Sequence, residues 1–95
     1  MNYVAEFSPE ALEDLDGARL SLEILEEFER RIELLESSPV VLSRPSWFPY
    51  PQCLIYEFLV QAGSRRWRFR ILFKYGADEH TIFVLRVDIA KSAIG

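Results

Sequence analysis

Arg66, Arg68, Arg70 and Lys74 stand at alternating positions in Arg65-Arg66-Trp67-Arg68-Phe69-Arg70-Ile71-Leu72-Phe73-Lys74-Tyr75, a stretch with five of the chain's eleven basic residues. Successive side chains of a β-strand point to opposite faces. The four cations then share one face with Leu72, while Trp67, Phe69, Ile71, Phe73 and Tyr75 share the other. Like charges along a strand repel, so such a row implies an anionic partner such as nucleic acid, with a simple solvated strand face or a dock for an acidic protein as the alternatives. Guanidinium forks match phosphate, and they can stabilise the charge that builds on phosphorus when RNA is cut without a metal. That chemistry also needs a base for the 2′-hydroxyl and an acid for the leaving oxygen. The titratable candidates are Glu57, Lys74, Lys91, Tyr50, Tyr56 and His80. Glu57 has the parity of Cys53, Ile55 and Leu59, opposite to Tyr56 and Phe58. It is expected on the open face among the arginines, as a base or as a neutralising partner of Arg68 or Arg70.

Other residues carry less chemistry. His80 beside Glu79 fits a turn at the sheet's rim. Cys53 fits a packing role, with no neighbour in sequence that would activate it. Trp47 and Phe48 can anchor a loop on the core or stack on bases. One cysteine and one histidine do not make a Cys/His zinc site. No metal or cofactor is expected.

The elements that must position these residues follow from pattern. Tyr3 to Phe7 reads as an opening strand. Ser8-Pro9-Glu10 is a helix start with cap, first-turn proline and first-turn acid. A short helix is expected from Pro9 to about Leu15, with Asp16-Gly17 as a breaker. A second covers roughly Arg19 to Glu36, burying Leu25, Phe28, Ile32 and Leu35. Glu26, Glu29, Arg30, Glu33 and Glu36 form its wet side. Four prolines between residues 39 and 51 give a stiff, irregular connection. Strands follow at about Leu54–Val60, Arg66–Tyr75 and Thr81–Val87, with Gly76 to Glu79 as a hairpin turn. In the last strand, alternation puts Phe83, Leu85 and Val87 on one face and Ile82, Val84 and Arg86 on the other. The tail from Asp88 has too little pattern to assign.

The order β-α-α-β-β-β predicts an α+β two-layer domain, with a helical hairpin on one face of a mainly antiparallel sheet. At 95 residues the chain is expected to be one domain, residues 1–95. No apolar run approaches the roughly 18–20 residues that would span a membrane, and the N-terminus lacks signal-peptide regions. A cytoplasmic setting is expected. The net charge of −4 conceals a split: residues 1–38 hold eleven acids and three bases, whereas residues 39–95 hold four acids and eight bases. A local basic surface matters more for an anionic partner than the mean charge does.

These pieces together resemble the RelE/ParE superfamily of toxins from type II toxin–antitoxin modules. The resemblance runs through Phe7-Ser8-Pro9-Glu10-Ala11, Leu34-Leu35-Glu36-Ser37-Ser38-Pro39, Leu54-Ile55-Tyr56-Glu57-Phe58, Arg70-Ile71-Leu72-Phe73 and Ile82-Phe83-Val84-Leu85-Arg86-Val87. It implies a toxin that cuts ribosome-bound mRNA as a metal-independent endoribonuclease and so inhibits translation. Arg70, Lys74 and Lys91 would be catalytic, with Arg66, Arg68, Arg70, Lys74 and Arg86 binding nucleic acid and Glu57 a candidate acid or base. The implied partners are the ribosome, mRNA and a cognate antitoxin with an acidic amphipathic segment. Such a segment would cover the cations and the apolar Leu72, Ile82 and Val84 expected among them. A homodimer or a toxin–antitoxin hetero-oligomer is also implied. No tyrosine or histidine follows Val87, which favours a second expectation: a ParE-like non-nuclease toxin that binds DNA gyrase or another protein. A third is a degenerate family member acting as a binding module.

Overall fold

A computed structural model describes residues 2–46 and 52–93. In chain order the elements are β1 (Val4–Phe7), α1 (Pro9–Ala18), α2 (Leu22–Ser37), α3 (Pro39–Leu42), β2 (Arg44–Ser46), β3 (Cys53–Ala62), β4 (Arg65–Tyr75) and β5 (Thr81–Ala93). They form an α+β fold whose five-stranded sheet has the order β1-β5-β4-β3-β2. Only the β1–β5 pair is parallel; the other three pairs are antiparallel. The expected helical hairpin and mainly antiparallel sheet are present. Two elements were not foreseen. The proline-rich connection holds α3 and the short strand β2, while Trp47, Phe48 and Tyr50 lie outside the described residues.

Local chemistry sets the helix ends. Ser8 caps α1, its Oγ accepting from Ala11 N at 3.0 Å, and Pro9 occupies the first turn. The helix does not stop at Asp16-Gly17. It runs on to Ala18 and ends where Arg19 turns left-handed at φ 51°. One helical glycine costs only about 1 kcal/mol, which the packing of α1 against β5 outweighs. Ser21 then caps α2, so the second helix starts later than Arg19.

The buried stripe of α2 is Ile24, Phe28, Ile32 and Leu35, with Leu25 only half-buried. It packs on Tyr56, Phe58, Val60, Phe69, Ile71, Phe73, Ile82, Val84 and Val87. Phe58 and Phe69 stack with centroids 5.0 Å apart, and Phe28 tilts onto Phe69 at 5.4 Å. Glu36, expected on the wet side, instead ties β1 to the end of α2: its Oε2 accepts from Ala5 N at 2.7 Å, and its carbonyl from Tyr3 N at 2.8 Å.

Two features of β5 correct the sequence reading. The register passes from Leu72↔Arg86 to Phe73↔Val84, so Leu85 is an extra, bulged residue. One inserted residue inverts the alternation beyond it. Ile82, Val84 and Val87 therefore all face the core, and Ile82 and Val84 do not lie among the cations. Arg86 pairs with Leu72 on the open side instead. Second, the unassigned tail is strand: β5 continues to Ala93 opposite the N-terminal half of β4. Among the described residues, no helix is long and apolar enough to cross a membrane.

Candidate nucleic-acid interface

The helices cover one face of the sheet, and among the described residues no helix covers the other. Phe69, Ile71 and Phe73 of β4 are wholly buried beneath the helices, whereas Arg66, Arg68, Arg70 and Lys74 project from the opposite face. Arg70 lies at the centre of this face. It stands opposite Glu57 on β3 and Asp88 on β5. Its Nε donates to Glu57 Oε2 at 2.7 Å, and its Nη1 is 4.0 Å from Asp88 Oδ2.

Glu57 gathers two more cations. Arg68 Nε lies 3.8 Å from Oε2, and Arg44 Nη2 lies 3.5 Å from Oε1. Three guanidiniums thus surround one carboxylate. The Arg70 hydrogen bond, with the charges of Arg70, Arg44 and Arg68, holds the Glu57 carboxyl below the usual carboxylate range, against the opposing effect of burial. The same bond raises Arg70. Glu57 is accordingly a clamped anion, whereas an effective general base would titrate near neutrality.

The remaining expected residues scatter. Lys74 lies on the open face opposite Phe83 and is exposed. Arg66 is also exposed there, opposite Gln61 and Ser92. Arg86 points its Nε and Nη2 at the two oxygens of Asp14, each at 2.9 Å, fastening β5 to α1. Lys91 does not join the arginines. It sits opposite Trp67, on the helix-covered side of the sheet, with Nζ 5.1 Å from the centroid of that ring. Tyr56 is in the core. His80 is exposed in the β4–β5 turn, where its N–H donates to Asp78 Oδ1. Tyr50 lies outside the described residues.

Arg44 and Asp88 are members of the cluster that pattern did not single out. Arg44 sits in a three-residue strand next to proline, too short for any periodicity. Asp88 belongs to the tail whose alternation the bulge disrupts. The apolar part of the open face also differs from expectation. It comprises Leu72, with Ile55 and Leu59 of β3 and Phe83 of β5 at matching register positions, and Leu59 is 52% exposed.

No protein-family model matches the sequence, and no curated protein matches it. Among solved structures, one chain of the toxin–antitoxin complex RelBE2 from Mycobacterium tuberculosis matches with a TM-score of 0.68. The match is 22% identical and covers 95% of this chain and 100% of that one. This chain has a RelE-like fold. In this fold β1 is a parallel edge strand and the helical hairpin packs on one side of the sheet. It leaves the arginine face as the broad surface without a helical layer.

Proposed function

We propose that residues 1–95 form one RelE-like domain that serves as the toxin of a type II toxin–antitoxin module, binding ribosome-bound mRNA on its open face and cutting it. The observation that carries this is the convergence of Arg44, Arg68 and Arg70 on that face. Guanidiniums there can grip a backbone phosphate and stabilise the charge of a phosphorane. Arg66 and Lys74 extend the cationic track along β4. The RelBE2 chain is part of a toxin–antitoxin complex, and the likeness supports an antitoxin partner here. An acidic amphipathic segment would suit the mix of arginines with Leu59, Leu72 and Ile55. The setting for this activity is the cytoplasm.

A second reading is a toxin that binds gyrase or another protein without cleaving RNA. It is favoured by Glu57 being held ionised and by Lys91 lying on the other side of the sheet. Induced expression in a bacterial host, with mapping of mRNA 5′ ends, separates the two. Growth arrest with new cleavage sites, both lost in the Arg68→Ala/Arg70→Ala double variant, is the expected result. Arrest without cleavage would transfer the assignment to the second reading. No arrest from well-folded protein would reject both toxin readings and leave a binding module.

A further inference from the structure

Three arginines of the open face, Arg44, Arg68 and Arg70, already hold an anion, and it belongs to the protein. We propose that Glu57 is a resident counter-anion in a phosphate site: Arg44, Arg68 and Arg70 form the cradle for one backbone phosphodiester, and the incoming phosphate displaces the Glu57 carboxylate. The inference rests on the reading of this face as an RNA surface and adds a gate to it.

The geometry shows a cradle larger than its occupant. Glu57 has two oxygens to share among three guanidiniums, and of the three only Arg70 donates a short hydrogen bond to it, at 2.7 Å. Arg44 and Arg68 stand off at 3.5 and 3.8 Å. Arg68 Nε is shut away from solvent and makes no hydrogen bond among the described residues, although it points charge at Glu57. A buried donor without an acceptor is costly. A tetrahedral phosphate offers acceptor directions that a planar carboxylate lacks, and can satisfy Arg70 and Arg68 together. The charge balance agrees. One carboxylate leaves the trio with an excess of positive charge, and Asp88 offsets it only from 4.0 Å on its exposed side.

The occupant can also leave. The Glu57 side chain is 32% exposed and lies on an open sheet face. Exposed ion pairs of this type are individually weak, so a phosphate that gains better hydrogen bonds can replace them. In the free protein Glu57 relieves repulsion within the trio. In doing so it lowers the affinity for any single phosphate, and a longer RNA strand must supply the difference through Arg66 and Lys74.

The test is a titration of the whole chain with dimethyl phosphate, following the Nε–H resonances of Arg68 and Arg70 by NMR. Glu57→Gln should bind dimethyl phosphate about five-fold more tightly than wild type, the size expected from releasing two or three exposed ion pairs. Glu57→Ala is the second variant, because glutamine could still hydrogen-bond Arg70, and it should shift the same way. Unchanged or weaker binding in the folded variants would overturn the proposal, making Glu57 a residue that positions the arginines. Equal or tighter binding of acetate would also overturn it, assigning the cradle to an acidic peptide. These outcomes are independent of the cleavage reading. Arrest without mRNA cleavage would leave the titrations standing, and a flat Glu57→Gln result would leave the cleavage maps standing.

Discussion

Asp14 does two jobs with one carboxylate. It takes both 2.9 Å hydrogen bonds from Arg86, and its Oδ2 also accepts from Val87 N at 2.9 Å. That N–H lies beyond the part of β5 that β1 covers, so Asp14 serves as its partner from α1. The Arg86 hydrogen bond, then the Val87 N–H and the Arg86 charge, hold the Asp14 carboxyl below its ordinary value although burial opposes them. A folded-state pKa below the unfolded one gives stabilisation that is complete above the unfolded value and lost as pH falls through the folded one. Asp14→Asn should therefore cost about 1 kcal/mol near pH 7, discounted for the exposure of Arg86. The gap between variant and wild type should close as pH falls below about 4, the ordinary carboxylate value. Urea midpoints from pH 7 to about 3 would measure it. A gap that stayed constant with pH would mean that the charge of Asp14 contributes nothing.

Among the elements, β5 shows how one residue re-aims a strand. Its first part places Ile82 and Val84 in the core; its later part places Val87 there and turns Arg86 outward. Leu85 makes this compatible by absorbing one position, and its carbonyl accepts from Ser8 Oγ at 2.8 Å. Deleting Leu85 should restore simple alternation and force a choice. Either Ile82 and Val84 leave the core, or Val87 leaves it while Arg86 turns into the side beneath the helices. Both bury or expose the wrong group, so the deletion variant should lose its cooperative thermal transition and its dispersed NMR spectrum. Leu85→Ala, which keeps the extra residue, should melt cooperatively. If the deletion variant folded with native dispersion, the bulge would not be setting the facing of β5.

For the molecule as a whole, charge is sorted by layer. Residues 1–38, which supply β1, α1 and α2, hold eleven of the fifteen acids, while β4 alone holds five of the eleven bases. A nucleic acid would be repelled from the helical side and drawn to the open sheet. Binding of single-stranded RNA should accordingly weaken with salt. Three phosphate contacts predict a slope of log K against log salt of about −2, from roughly −0.7 per contact. The Arg68→Ala/Arg70→Ala variant should lose about a third of that slope, the one phosphate those two arginines share, as fluorescence anisotropy across a salt series would read. A slope near zero for wild type would remove RNA from the list of ligands of this face.

Much of this was legible in the chain before its structure. The alternation from Arg66 to Lys74 is a local property, because strand pleat depends only on neighbouring residues. It separated the cationic face from the aromatic core side, and the parity of Glu57 set it with the arginines. Ser8-Pro9 and the spacing of Phe28, Ile32 and Leu35 marked the helices for the same reason. What only the tertiary structure decided was who meets whom. Glu57 and Arg70 are 13 residues apart, and Asp14 and Arg86 are 72 apart. The bulge at Leu85, the strand pairing that carries Lys91 to the far side of the sheet, and the arrival of Arg44 beside Glu57 all depend on register between distant segments. Periodicity records which way a side chain points along its own strand. Register is chosen by the packing of the whole sheet against its helices, and no local pattern contains it.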